Sequence, residues 1–335
     1  MSVKPTTPTN RRLSVAPMME WTDRHCRVFH RQFSKQTLLY TEMLTANALL
    51  HGDPERWLQH SPSEYPLALQ LGGSVPGDLA RAVRIAREFG FCEINLNCGC
   101  PSDRVQNGAF GACLMRDPGL VADCTAAMIE AAAGGPEITV KCRIGVDDQD
   151  PAQTLPAFVA RVAESGVRHF AVHARKAWLK GLSPKENRTI PPLDYPLVAR
   201  LKAERPDLGI VLNGGIETLD AAAGHLTQFD GAMIGRAAYH DPAGILGAAD
   251  RRIFGIDGPD ADPVTAVRAM RPYIEGELAK GARLHQVTRH MLGAFNGRPG
   301  ARRWRQILSA GATEPGAGTA LIEEALTAVL PAQAA

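Results

Sequence analysis

The chain has 335 residues, of which 45% are hydrophobic and 21% charged, and a net charge of +2, values that suit one large globular core with a small appendage or two ordinary domains. No apolar run approaches the roughly 18 residues that a membrane span needs, and residues 1–12 carry no stretch of signal-peptide character, so neither a membrane nor a secreted setting is expected. Seven cysteines, an odd number in a chain too large to need staples, point to a reducing cytoplasm rather than to a disulfide framework; a monomer is expected.

Residues 13–19, Leu-Ser-Val-Ala-Pro-Met-Met, form a short apolar run expected as a strand, with helical periodicity following over 21–33. A second strand is expected at 38–43, ending beside Glu42, and a third at 66–71, with Ala68 and Gln70 on one parity and Leu67, Leu69 and Leu71 on the other. An amphipathic helix follows at 77–89. In the fourth strand, 91–97, apolar Cys92, Ile94 and Leu96 alternate with polar Glu93, Asn95 and Asn97, the period-two signature of a strand whose faces meet different surroundings. Cys98-Gly99-Cys100-Pro101 then breaks it with turn residues, and a helix is expected at 118–133.

The fifth strand, 138–144, sets Thr139, Lys141 and Arg143 against Val140, Cys142 and Ile144; the sixth, 169–174, sets Ala171 and His173 against Phe170, Val172 and Ala174. Residues 209–212 run into Asn213-Gly214-Gly215 and 232–234 into Gly235-Arg236, with helices near 152–164, 195–204 and 217–227. Eight strand–helix alternations predict an α/β fold, a parallel sheet closed as a (β/α)8 TIM barrel over residues 1–256. An open doubly wound sheet is the alternative, because closure is not written in periodicity. Residues 257–263 read as a linker, and 257–335 as a small helical domain with Leu284, Val287, Met291, Ala294 and Phe295 at helical spacing. Between Pro263 and Ala310 there are nine Lys or Arg and two Glu. A solvated helix face explains one such helix; a polyanionic partner such as nucleic acid is the competing reading.

Barrel active sites gather at the C-terminal ends of the strands. Here those ends carry Met18-Met19, Glu42, Gln70, Asn97, Lys141, His173, Asn213-Gly214-Gly215 and Gly235-Arg236. Any one of these alone reads as a satisfied core group or a turn. Eight on one rim are hard to explain by packing, since each buried polar group without a partner costs about 1–3 kcal/mol. The thiols of Cys98 and Cys100, beside two carboxamides, suit proton donation to a flat ring. A metal site is not expected, because CxxC and paired-histidine spacings are absent. The glycines after strands seven and eight suit a phosphate, with Arg236 as a charged donor. Together with Lys141 and Gln70 they suit a phosphorylated planar cofactor such as a flavin, whereas a GxGxxG dinucleotide turn is missing.

Taken jointly, Pro17-Met18-Met19, Gln70-Leu71-Gly72, the run from Asn95 to Ser102, Lys141-Cys142-Arg143-Ile144-Gly145, His173-Ala174-Arg175, Asn213-Gly214-Gly215 and Gly235-Arg236 resemble the tRNA-dihydrouridine synthases. The run from His173 to Arg188 resembles the A subgroup. This resemblance implies an FMN enzyme that uses NADPH to reduce the C5–C6 double bond of a D-loop uridine, at position 20 and its neighbour 20a. It implies FMN contacts from Pro17, Met18, Met19, Gln70, Lys141, His173, Asn213, Gly214, Gly215, Gly235 and Arg236. It further implies Cys100 as proton donor, Asn97 on the uracil edge, and tRNA contacts from Lys185, Arg188, Arg302 and Arg305. A uridine stacked in folded tRNA must be flipped to reach a barrel mouth and the RNA around it gripped, which accounts for the basic groups. A dihydroorotate dehydrogenase, the nearest enzymatic rival, gives no reason for a basic helical appendage. A nonenzymatic RNA-binding barrel would hold no flavin.

Overall fold

The computed structural model describes residues 9–102 and 110–330. Eight strands close into a barrel in chain order: β1 Leu13–Val15, β2 Leu38–Thr45, β3 Leu67–Gly72, β4 Glu93–Cys98, β5 Glu137–Arg143, β6 His169–His173, β7 Gly209–Asn213 and β8 Gly231–Ile234. Every neighbouring pair is parallel. Closure is made by β1 on β8, with Leu13 opposite Ala232 and Val15 opposite Ile234. The open-sheet alternative is therefore excluded.

The alternation of residue types dictates which face of each strand turns outward. Leu67, Leu69, Leu71, Ile94, Leu96, Val140 and Phe170 are buried against the surrounding helices, each such side chain contributing about 1.5–3 kcal/mol by leaving water. The other parity faces the lumen, where Ala16, Leu38, Tyr40, Ala68, Ala171, Val211 and Met233 form a second cluster. A slip of one residue would exchange the two sets. Helix starts are marked by aspartates: Asp117, Asp150 and Asp194 accept backbone N–H bonds at the beginnings of Pro118–Ala132, Pro151–Ala163 and Tyr195–Glu204.

Three of the boundaries that differ from the sequence expectation have a clear physical cause. β1 stops at Val15 because Pro17 has no N–H to extend the ladder, and the Met18 carbonyl instead accepts from Trp21 and Thr22, turning the chain. The helix expected at 21–33 is Arg24–His30, started by Asp23 accepting from the Cys26 N–H. β2 continues to Thr45 through a register shift between Tyr40 and Met43, a bulge that falls at Thr41 and Glu42.

Beyond residue 262 come the helices Pro263–Ala269, Arg271–Ala279, Leu284–Thr288, Ala301–Gly311 and Ala320–Leu326. One buried cluster runs from the barrel layer into Ile274, Met291, Phe295, Trp304 and Leu308. Polar contacts fasten these helices to the segment after β1: Arg24 pairs with Glu277 at 2.5 Å, and Asp23 meets Arg289 at 2.6 Å and His290 at 3.0 Å. Among the described residues no helix is long and apolar enough to cross a membrane.

Candidate active site

A column of side-chain hydrogen bonds rises through the lumen. At its foot Glu93, wholly buried, accepts from Arg11 Nε at 2.7 Å, Tyr40 OH at 2.5 Å and Thr139 Oγ1 at 2.6 Å. Asn95 donates to Thr139 Oγ1 at 2.8 Å and accepts from Gln70 Nε2 at 2.9 Å. Asn97 Nδ2 donates to Gln70 Oε1 at 3.0 Å. Burying so many polar groups is tolerable because each finds a partner. Asn97 ends the column, its Oδ1 accepting from the backbone N–H groups of Gly99 at 2.9 Å and Cys100 at 3.0 Å. The residue expected on the uracil edge thus has both ends of its amide engaged inside the protein, holding the turn that carries the thiol.

Exposure separates the two cysteines of that turn. Cys98 is wholly buried, opposite Cys142 in the register, and burial pushes its thiol well above the ordinary range. Cys100 is half-buried, with Sγ 3.5 Å from Ser102 Oγ.

Beside this turn, at the C-terminal ends of the strands, lies a cavity of about 570 Å³. Its wall brings together Pro17 and Met18 after β1, Lys141 from β5, His173 from β6, Asn213, Gly214 and Gly215 at the end of β7, and Gly235 and Arg236 after β8. Arg188, expected on the tRNA side, also stands in this wall, whereas Met19 is 56% exposed and neither it nor Gln70, Asn97 or Cys100 lines the cavity. Sequence reasoning did not single out Thr189, Glu217, His240, Asp241 or Asn296, which also line the cavity. His240 carries no motif and is brought to the mouth by the short helix Arg236–His240 after β8, whereas Asn296 comes from the C-terminal helical region.

Lys141 Nζ donates to Asn213 Oδ1 at 2.9 Å, and Asn213 Nδ2 to the Met233 carbonyl at 2.7 Å. Burial, aided by the Arg143 charge, lowers the Lys141 ammonium to about 8. His173 Nε2 is buried with no hydrogen-bond partner among the described residues. Burial and then the charges of Arg143 and Lys141 keep its imidazole neutral. Gly214 and Gly215 have φ of +106° and +69°, and a Cβ on Gly214 would lie 2.7 Å from His173 Cδ2, so this turn needs glycine. Five cations, Lys141, Arg143, Arg175, Arg188 and Arg236, gather around this site, the first and the last two of them in the cavity wall. The hydrogen bonds of the first four go to Asn213 or to main-chain carbonyls. Among the described residues none of the five forms an ion pair with a carboxylate.

The remaining expected residues lie outside the cavity. Lys185 is exposed on the loop after β6, whose shape is set by Asn187: Oδ1 accepts from Trp178 N at 2.7 Å, and Nδ2 donates to the Trp178 carbonyl at 2.8 Å. Arg302 and Arg305 are exposed on the helix Ala301–Gly311, while its Trp304 and Leu308 are buried.

The family model for dihydrouridine synthases matches residues 14–330. The chain is 58% identical to a tRNA-dihydrouridine(20/20a) synthase of Xanthomonas axonopodis pv. citri, over 94% of this chain and 93% of that protein. It is 57% identical to the protein of the same name from Salmonella typhi, over 94% of each, and 58% identical to that of Pseudomonas putida, over 90% of this chain and 89% of the relative. Among solved structures, the old yellow enzyme homologue from Zymomonas mobilis shares the fold, with a TM-score of 0.52 and 15% identity over 79% of this chain and 94% of that one. With a family match spanning nearly all of its length and relatives this similar from end to end, the chain belongs to the dihydrouridine synthase family.

Proposed function

We propose that this chain is a tRNA-dihydrouridine(20/20a) synthase that holds FMN in the barrel mouth, draws on NADPH, and reduces the C5–C6 double bond of a uridine flipped from the tRNA D-loop. The observation that carries this reading is the cavity wall, where Lys141, Arg188 and Arg236, three cations without ion-pair partners among the described residues, meet two left-handed glycines. Cations held in such a site are stabilised when an anion arrives, and both FMN and RNA bring phosphate. Close relatives bearing this name support the substrate.

In this reading Pro17, Met18, Met19, Gln70, Lys141, His173, Asn213, Gly214, Gly215, Gly235 and Arg236 would hold FMN. The glycines admit phosphate close to the backbone, and Arg236 adds charge. His173 offers a neutral imidazole with a free ring nitrogen. The chemistry such a bound flavin would supply, once reduced by NADPH, is hydride delivery to uracil C6. Cys100 donates its thiol proton to C5, which completes 5,6-dihydrouridine, and recovers a proton from water. Lys185, Arg188, Arg302 and Arg305 would grip RNA phosphates, the last two from a tRNA-binding domain that, with its C-terminal tail, makes up residues 257–335.

The test is to give the FMN-loaded protein NADPH with either unmodified tRNA or orotate. NADPH consumption accompanied by dihydrouridine formation with tRNA alone is the expected result. Consumption driven by orotate would replace this reading with that of a dihydroorotate dehydrogenase.

A further inference from the structure

Arg143, the last residue of β5, is 3% exposed. Its Nε donates to the Gly99 carbonyl at 3.1 Å, and its Nη1 donates to the carbonyls of Lys176 at 3.1 Å and Asn187 at 2.8 Å. Gly99 belongs to the turn that carries Cys100. Lys176 and Asn187 belong to the loop after β6 that carries Lys185 and Arg188. One side chain therefore bridges two segments that chain connectivity leaves separate.

The residue type matters. A guanidinium presents N–H donors in a rigid planar fork and reaches several carbonyls at once, which a lysine ammonium on its flexible stem does not reproduce. Burying this charge among main-chain carbonyls, with no carboxylate paired to it among the described residues, is costly. Burial accordingly lowers the guanidinium to about 10, an effect eased by Cys100 and reinforced by Arg188 and Arg175. The turn is held on its other sides as well: Asn97 takes the N–H groups of Gly99 and Cys100, and the Ala112 N–H donates to the Cys100 carbonyl at 2.9 Å. Arg143 is the anchor in this set that also holds the loop after β6.

We infer that Arg143 is a positioning residue that couples RNA phosphates engaged by the loop of Lys185 and Arg188 to the turn of Cys100, steadying the acid when a polynucleotide is bound. This rests on the tRNA reading above. The coupling is mechanical: phosphate held by Lys185 and Arg188 restrains the loop backbone, the restrained Lys176 and Asn187 carbonyls hold the guanidinium, and the guanidinium holds Gly99.

The test uses the FMN-loaded full chain and Arg143→Lys, which keeps the charge and loses the fork. The probe is a tRNA transcript made abasic at the target uridine, so that no base covers the sulfur. In the parent, this transcript slows iodoacetamide alkylation of Cys100 by about tenfold, within the usual range of coupling between sites. In Arg143→Lys the transcript still binds and the slowing is lost. With intact tRNA, kcat for dihydrouridine falls by about 100-fold, as expected for a slightly misplaced reacting group, while KM changes little. An Arg143→Lys protein that retains the slowing and the kcat overturns the inference.

Hydrogen exchange on the parent alone serves if the variant does not fold. Binding of the abasic transcript should protect amides in both 176–188 and 97–101, and protection confined to 176–188 overturns the coupling. A parent that makes no dihydrouridine from intact tRNA removes the tRNA reading, and the coupling with it. A parent that makes it and shows no response at 97–101 removes the coupling alone.

Discussion

Asn97 joins Gln70 to Cys100: its Nδ2 donates to Gln70 Oε1 at 3.0 Å while its Oδ1 accepts the Cys100 N–H, also at 3.0 Å. A residue proposed to touch flavin and the residue proposed to supply the proton are thus set by opposite ends of one buried amide. Asn97→Ala strips partners from two backbone N–H groups and from Gln70, a loss of about 1–3 kcal/mol for each group left buried. The expected outcome is a lower urea midpoint with faster alkylation of Cys100. An unchanged midpoint and alkylation rate would mean that the turn does not depend on this amide.

The lowered Lys141 ammonium makes anion binding depend on pH. Because its value falls from 10.5 to about 8 in the folded chain, the charged form is disfavoured by folding. The penalty is full below about pH 8 and is relieved as pH rises toward 10.5, so this group adds to stability across that window. An anion in the cavity acts in the opposite sense, drawing a proton onto Lys141. Affinity of the flavin-free protein for FMN should therefore be level below about pH 8 and fall above it, by at most about tenfold per pH unit. Calorimetric titration in buffers of different ionisation enthalpy should detect proton uptake in the falling range, and Lys141→Met should abolish it. Affinity independent of pH across that range would place the anion away from Lys141.

Two glycines should respond oppositely to alanine. Gly77 lies in the helix Pro76–Ala86 with nothing within 4 Å of an added Cβ, so Gly77→Ala should stabilise the chain by about 0.5–1 kcal/mol. Gly214, at φ +106° and facing His173, should lose about 1–3 kcal/mol to backbone strain and lose FMN affinity as His173 shifts. Urea unfolding of the two variants and FMN titration of Gly214→Ala check this.

Arg302 and Arg305 stand exposed on a helix whose opposite face is packed on Trp304 and Leu308, so removing both should not disturb the fold. If each contacts a phosphate, the double alanine variant should weaken tRNA binding and flatten the plot of log affinity against log salt by about 1.4–1.8 units. Filter binding over a salt series measures the slope. An unchanged slope would take this helix out of the RNA-binding surface.

The barrel was legible where neighbouring residues differ sharply in polarity. On β4 and β5, Asn95, Asn97, Thr139 and Lys141 are separated by Ile94, Leu96, Val140 and Cys142, and the register places the polar set in the lumen. Legibility fails where apolar composition continues past a change in hydrogen bonding, as at Met18 and Met19 after β1. It fails again where a loop folds back: Arg188 reads as a loop charge, yet the interior bonds of Asn187 bring that loop against the cavity. Arg143 lies inside a recognised run, but its partners are main-chain carbonyls, which any residue carries and no motif records.

The most direct test of the account is nucleotide-resolution mapping of dihydrouridine in unmodified tRNA treated with NADPH and either the parent chain, Cys98→Ala or Cys100→Ala. The expected result is conversion at positions 20 and 20a by the parent and by Cys98→Ala, with the yield rate of Cys100→Ala lower by roughly 10²–10⁴-fold. Absence of dihydrouridine with the parent, or an undiminished rate in Cys100→Ala, would contradict it.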